Sequence, residues 1–300
     1  MLVLILAELL YSHYHKKELY ATGDTIINLL CTSLNFVNDL IFRGITLYIL
    51  ILCSDFAAHT FVTKDWVYWV LLFLAQDLAY YVLHSIDHNV RFFWASHITH
   101  HSSEKFNLTV AIRSSVFQPF YRFIFYIPLA VAGFGALDIV FMYALCQVYG
   151  FWVHTELVRK LHPVIEYLFV TPSHHRVHHG SNIKYLDANM GMVLIIWDRM
   201  FGTFVSEDEA EPVKFGLTEN IKSFHPGKVV FHEWRNILAD LRRAPDFRTR
   251  LRYVFGPPGY SHDHSRMTSR QLKENSINLR PEYPENEVIT SHLERVLLEK

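Results

Sequence analysis

Long apolar runs constrain the fold of this chain more than any other feature of its sequence. Residues 44–54 are apolar, residues 66–83 are interrupted only by Asp77, and residues 123–153 carry a single charge. As one straight helix, the third run would measure about 46 Å, well beyond the roughly 30 Å hydrocarbon core of a bilayer. We therefore predict a tight helical hairpin in that run, with its turn near Gly133–Gly135, and about four membrane-inserted helices in all.

The composition agrees with membrane insertion. Apolar residues make up 51% of the chain and charged residues 19%, whereas soluble domains carry roughly 25% charged residues. Buried helices of a large globular enzyme are the alternative interpretation of runs this apolar. The formal net charge is −1, and no basic stripe is present, so we expect no nucleic-acid partner.

The character of the sequence divides the chain into three parts. We predict an N-terminal membrane or interfacial segment over 1–34, a central domain over 35–260 and a polar tail over 261–300. Residues 229–244 have the pattern of an amphipathic surface helix, and residues 291–300 could form one exposed helix. Lys and Arg residues flank the same ends of the apolar runs, which the positive-inside tendency places in the cytosol.

Histidine is the anomaly of the composition. The chain contains 19 histidines, about three times the number that average usage gives. Eight of them form three clusters at i, i+3 or i+4 spacing: His84 and His88; His97, His100 and His101; His175, His178 and His179. On a helix these offsets place side chains on one face, where imidazoles can converge on a metal ion. Eight imidazoles are too many for one ion, so we predict two metals.

Other histidines fit the pattern less well. His154 follows the second arm of the predicted hairpin and is a ninth candidate ligand. His174 precedes the third cluster but breaks its spacing, so we interpret it as a supporting or incidental residue. The remaining histidines are scattered, and we interpret them as non-ligands: His13, His15, His59, His162, His225, His232, His262, His264 and His292.

The ligand set favours dioxygen chemistry over hydrolysis. Imidazole binds Fe, Zn, Cu and Ni alike, but catalytic zinc typically uses three protein ligands and is redox-silent. No HExxH, GxSxG, P-loop or GxGxxG motif occurs. We predict an all-α integral membrane protein in which a cytosolic helical cap holds a His-rich di-metal site. A non-catalytic metal-binding membrane protein or a transporter is the alternative from a different class.

Four acidic residues are candidate supporting groups. Asp77 lies inside an apolar run, where an ionisable group is costly and usually functional. We expect it to hydrogen-bond a ligand imidazole, with helix pairing as the alternative. Glu104 and Glu156 adjoin histidine clusters and could orient imidazoles, whereas Asp187 could either orient an imidazole or cap a turn.

Four segments together resemble a known family. They are WASHITHHSSEKFNLTVAIRSSVFQ at 94–118, FWVHTE at 151–156, TPSHHRVHHG at 171–180 and VLIIWDRMFGTF at 193–204. This joint pattern resembles the fatty acid hydroxylase superfamily, which includes sterol desaturases. Within it, the pattern is most similar to the alkylglycerol monooxygenase branch and its bacterial relatives, over roughly residues 35–260.

The resemblance implies a membrane enzyme that uses two iron ions and dioxygen to hydroxylate a lipid C–H bond, next to an ether oxygen in that branch. It implies tetrahydrobiopterin as reductant there, and an electron-donor protein in other branches. The alternative is a sterol or fatty acyl hydroxylase or desaturase. The implied membrane is the endoplasmic reticulum in a eukaryote and the inner membrane in a bacterium. Asn89 stands where close relatives usually carry Glu, and Met190 where they usually carry Tyr.

Overall fold

The computed structural model describes residues 1–57, 61, 63–113 and 115–278. Their regular structure is helical, and β pairing among them is confined to two isolated bridges, Phe169 with Leu194 and Gly180 with Phe215. The all-α class is therefore confirmed for the described residues. The helix predicted over 291–300, together with His59 and His292, lies outside them.

Thirteen α-helices and three short 3-10 helices follow one another along this part of the chain. The α-helices are α1 Leu2–Tyr14, α2 Thr22–Ser54, α3 Trp66–Asn89, α4 Arg91–His101, α5 Leu108–Ile112, α6 Ile127–Val131, α7 Ala136–Trp152, α8 Pro163–Leu168, α9 Pro172–His178, α10 Ile196–Phe201, α11 Pro226–Arg243, α12 Phe247–Phe255 and α13 Ser269–Asn278. The 3-10 helices are Gln118–Phe120, Arg122–Tyr126 and Ile183–Tyr185.

Two of the described helices, α2 and α3, are long and apolar enough to cross a membrane. Only 11% of the most apolar window of α2 is buried within the protein, so its apolar side chains face outward, as lipid contact requires. A core helix of a soluble enzyme would instead be mostly covered. The other apolar helices are shorter, with 13 residues in α1 and 17 in α7, so two candidate spans are found and the remaining membrane-inserted helices stay a prediction. The predicted boundary between residues 34 and 35 falls within the continuous helix α2.

The predicted helical hairpin is present. Helix α6 ends at Val131, the turn contains Gly133 at φ 97°, and α7 begins after Gly135. A positive φ is accessible to glycine at little cost, which explains why the chain reverses there. The buried residues Leu72 of α3, Ala130 and Ile139 belong to one apolar cluster that joins α3 to both arms.

Helix α3 carries the chain from the apolar region to the histidines. The side chain of Asp65 caps it by accepting from the Tyr68 backbone N–H at 3.1 Å. It then continues unbroken to Asn89, so His84 and His88 lie on the last turns of a candidate membrane span. This continuity was predicted from the absence of a break after residue 83.

Helix α11 secures the start of α4. The Arg91 guanidinium is buried and donates to Glu233 at 2.6 Å and to Asp240 at 2.7 Å. Val229 and Ile237 are buried on the same helix. Helix α11 therefore has the amphipathic character predicted for 229–244, and it fixes the orientation of the helix that carries the second histidine cluster.

Candidate metal centre

The nine candidate histidines come together in two groups. The first group contains His84, His88, His97, His101 and His178, and the second contains His100, His154, His175 and His179. Within each group, one ring nitrogen from every histidine lies within 4.8 Å of the others. Eight of the nine side chains are buried, and His100 is only partly exposed. The structure therefore gathers every residue that the sequence nominated as a ligand.

The HxxHH clusters each contribute to both groups. In α4, His97 and His101 join the first group, while His100 turns toward the second. At α9 the arrangement is reversed, because His175 and His179 join the second group and His178 the first. In each HxxHH cluster, the histidines at positions i and i+4 thus belong to one group, and the histidine at i+3 belongs to the other. Helical spacing alone does not predict this division, because all three positions share one face of the helix.

Hydrogen bonds fix the orientation of the rings. The Nδ1 atoms of four histidines lie next to backbone carbonyl oxygens: His84 with Met190 at 2.8 Å, His100 with Arg113 at 3.1 Å, His154 with Gly150 at 2.7 Å and His178 with Ala188 at 2.9 Å. A carbonyl oxygen only accepts, so each of these Nδ1 atoms carries the proton. The Nε2 atom of each neutral ring is then left with an unshared lone pair.

These lone pairs face one another. The Nε2 atoms of His100 and His154 are 3.3 Å apart, although both rings already donate through Nδ1. In the same group, the Nε2 atoms of His154 and His175 are 2.9 Å apart. The lone pairs of His100 and His154 repel at 3.3 Å unless a cation lies between them, and a bound metal would supply that cation. The donor set therefore fits two metal ions held by imidazole.

The pKa values agree with a ligand role. Burial lowers the pKa of His97, His100, His101, His175, His178 and His179 well below the ordinary range, and nearby imidazoles add to the effect. Burial lowers the pKa of His154 to about 4. All seven rings are therefore neutral at pH 7, which is the form that binds metals.

Two carboxylates support the first group. Asp187 accepts from His88 Nδ1 at 3.2 Å, which matches one of the two roles expected for it. Asp87, which sequence reasoning did not single out, is buried with an oxygen 3.8 Å from His97 Nδ1. Gln118 and Tyr121 each donate to Asp87 at 2.7 Å and hold it in place. The sequence feature that could have identified Asp87 is its position one residue before His88.

Comparison with known proteins shows what the region of this centre is similar to. The family model for fatty acid hydroxylases matches residues 69–203, a range that includes all nine histidines. This part of the chain is therefore similar to the fatty acid hydroxylase family. No solved structure matches the chain significantly.

The curated relatives of this chain act on lipids, according to their names. Alkylglycerol monooxygenase of Xenopus tropicalis is 37% identical over 270 residues, covering 88% of this chain and 59% of that protein. The human protein of the same name is 43% identical over 202 residues, which cover 66% of this chain and 44% of that protein. Ornithine lipid hydroxylase OlsE of Rhizobium tropici is 24% identical over 153 residues, covering 51% and 46%. The chain thus spans about half the length of the alkylglycerol monooxygenases it matches.

Asp77 does not bind an imidazole, and of its two predicted roles the structure supports the alternative, a pairing acid. Its carboxylate accepts from the backbone N–H groups of Val193 and Leu194, each at 3.0 Å. The Trp197 indole donates to it at 2.9 Å. A buried carboxylate satisfies the two backbone donors, which precede α10 and would otherwise be unpaired in an apolar region. Asp77 therefore joins α3 to the segment before α10.

Glu104 and Glu156 also lie away from the rings. Among the described residues, neither forms a hydrogen bond with an imidazole. Glu104 is exposed to solvent. Glu156 is half-buried, and burial raises the pKa of its carboxyl while Arg176 opposes the shift. Backbone carbonyls and Asp187 orient the rings instead, and the Ser115 Oγ atom lies 3.1 Å from His97 Nδ1.

His174 belongs to neither group, as its broken spacing indicated. Its Nε2 lies 3.0 Å from the Glu166 carboxylate. Its side chain also pairs with the backbone of Thr171 in the capping box that begins α9. A residue one position before His175 is rotated by about 100° around the helix, which points it away from the second group. His174 therefore stabilises the start of the helix that carries the third cluster.

Proposed function

We propose that this chain is a membrane di-iron monooxygenase that hydroxylates a C–H bond of a lipid. The proposed substrate is an alkylglycerol, and the hydroxylated carbon is the one next to the ether oxygen. The observation that carries the proposal is the pair of buried histidine groups at the end of a candidate membrane span. The names of the relatives support the lipid class, since both alkylglycerol monooxygenase and ornithine lipid hydroxylase act on membrane lipids by name.

The first group would hold one iron ion and the second group the other. Bound iron would activate dioxygen, so that one oxygen atom enters the C–H bond and the other leaves as water, using two electrons and two protons from a reductant. A hydroxyl group next to an ether oxygen gives a hemiacetal, which collapses to an aldehyde and a glycerol derivative. Tetrahydrobiopterin is the reductant we propose, and an electron-donor protein is the alternative.

The protein's own residues position and protect this chemistry. Backbone carbonyls hold the rings of His84 and His178 through Nδ1, and Asp187 does the same for His88. Fixed rings keep Nε2 directed at the metal without reorganisation. Burial of the rings excludes water from the reaction.

The position of the site suits a substrate dissolved in the bilayer. His84 and His88 lie at the end of α3, which is one of the two candidate membrane spans. A lipid could therefore reach the centre along α3 while its chain remains in an apolar environment. From the placement of Lys and Arg, we propose that the centre lies on the cytosolic side.

Product analysis tests the proposal. Iron-loaded, full-length protein would be incubated with an alkylglycerol, a sterol, a free fatty acid and an ornithine lipid, each with and without tetrahydrobiopterin. We expect aldehyde and free glycerol from the alkylglycerol only when the pterin is present, together with lipid-dependent dioxygen consumption. Hydroxylated sterol or acyl product would reassign the substrate, and no dioxygen consumption with any lipid or reductant would contradict the enzyme reading. The His100→Ala variant is the control for free-iron chemistry.

A further inference from the structure

Helices α11 and α12 expose an apolar surface in a part of the chain that the mechanism does not use. In α12, Phe247, Leu251 and Phe255 lie at i, i+4 and i+8 and so form one stripe. They are 72%, 43% and 58% exposed. Leu238 of α11 is also 56% exposed. Monomeric soluble proteins rarely show contiguous apolar surfaces of this kind without a binding role.

The same two helices carry a strongly basic charge. Seven exposed cationic residues lie in this segment: Lys228, Arg235, Arg242, Arg243, Arg248, Arg250 and Arg252. The only fully exposed acid there is Asp246. Glu233 and Asp240 do not offset the surface charge, because they pair with the buried Arg91. Exposed aromatic residues flanked by arginine are the pattern of helices that lie in a lipid interface.

A continuous series of aromatic rings connects this surface to the candidate membrane span α2. Phe42 of α2 contacts Phe120 at a centroid distance of 4.1 Å, and Phe120 contacts Phe117 at 6.2 Å. Phe117 in turn lies 5.9 Å from Trp234 of α11. The lipid that covers the outward face of α2 would therefore border α11 directly.

The series continues from α11 to α12. Trp234 packs against Phe92 at 5.3 Å, and Phe92 lies 6.4 Å from Phe255. The apolar surface thus extends from a membrane span to the most exposed stripe of α12 without a charged gap between the ring contacts.

We propose that α11 and α12 lie in the headgroup region of the bilayer and bind anionic lipid. The stripe Phe247–Leu251–Phe255 would enter the acyl boundary, while the arginines would contact phosphate and carboxylate groups of the lipid surface. Charge alone would also suit an acidic protein. The continuity with α2 and the size of the aromatic stripe favour the bilayer. Because α11 holds the first residue of α4 through Arg91, this contact would place the metal centre next to the lipid surface.

The test uses the full-length protein in vesicles, with a fluorescent label at one introduced cysteine. The background is Cys53→Ser, because Cys31 and Cys146 are buried. The label goes at Leu251→Cys, and the matched control is Ile277→Cys on α13, an exposed apolar residue outside the surface. Vesicles contain either phosphatidylcholine alone or about 30% phosphatidylserine, the anionic lipid of cytoplasmic leaflets.

We expect doxyl-labelled lipid to quench the Leu251→Cys label at least about three-fold more than the Ile277→Cys label, as burial in the acyl boundary requires. Phosphatidylserine should increase the quenching, and the added substitutions Arg248→Glu and Arg250→Glu should remove that increase. Equal quenching at the two sites would overturn the proposal. It would also fail if aqueous iodide reached the Leu251→Cys label freely in vesicles and only an added acidic protein shielded it.

Discussion

His178 and His174 lie one helical turn apart in α9, yet their side chains have different partners. His178 belongs to the first histidine group, whereas His174 contacts Glu166. We expect His178→Ala to lose more than about 100-fold in activity, since even residues that only orient a ligand typically cost 10–100-fold. His174→Ala should keep measurable turnover and its full metal content. Activity assays combined with metal analysis check both, and loss of metal from His174→Ala but not from His178→Ala would show that the ligand register is wrong.

The residues of the candidate site were predictable in part. Helical spacing identified eight of the nine histidines that come together in the structure, and the position of His154 after the second arm of the predicted hairpin identified the ninth. Helical spacing could not predict their division into two groups, because i, i+3 and i+4 share one helical face. It also could not identify the carbonyl acceptors, such as Met190 for His84, which is 106 residues away. Only the tertiary fold brings such pairs together, and it also decides between the two roles predicted for Asp77.

At the scale of the elements, Asp77 connects the span α3 to the segment before α10. That segment follows Ala188 and Met190, whose carbonyls hold His178 and His84. Asp77→Ala would leave the buried N–H groups of Val193 and Leu194 without acceptors, at about 1–3 kcal/mol for each. We expect the variant to unfold several degrees below the parent protein in a thermal melt. Glu219→Ala, at an exposed acid, is the control, and equal melting of the two variants would count against this connection.

Local sequence patterns predicted some of the helices better than others. The run 66–83 and the absence of a break after it predicted α3 and its histidines together, and Gly133 marked the hairpin turn. Length and composition identify only α2 and α3 as candidate spans, so a membrane position for the shorter helices α1 and α7 stays a prediction. The contact of Arg91 with α11 joins residues 142 and 149 positions apart, which local patterns cannot predict.

At the scale of the whole molecule, the buried imidazoles make stability depend on pH. Above pH 6.5, the ordinary histidine pKa, these rings are neutral whether the chain is folded or unfolded, so they contribute no pH dependence. Below pH 6.5 the unfolded chain binds protons that the folded chain excludes, and stability falls until the folded rings titrate. For His154 this occurs at about pH 4. The melting temperature should therefore be level from pH 8 to about 6.5 and decline below it, whereas the folded protein should keep its metal to lower pH, because its ligands are still neutral there. A melting temperature that stayed level to pH 5 would contradict the burial of neutral imidazoles.

The metal content of the intact chain tests the central claim most directly. Full-length protein would be purified without chelator, supplied with ferrous iron, freed of unbound metal and analysed for iron against protein concentration from amino-acid analysis. The two histidine groups predict two iron ions per chain at saturation. One ion or none would contradict the di-metal centre.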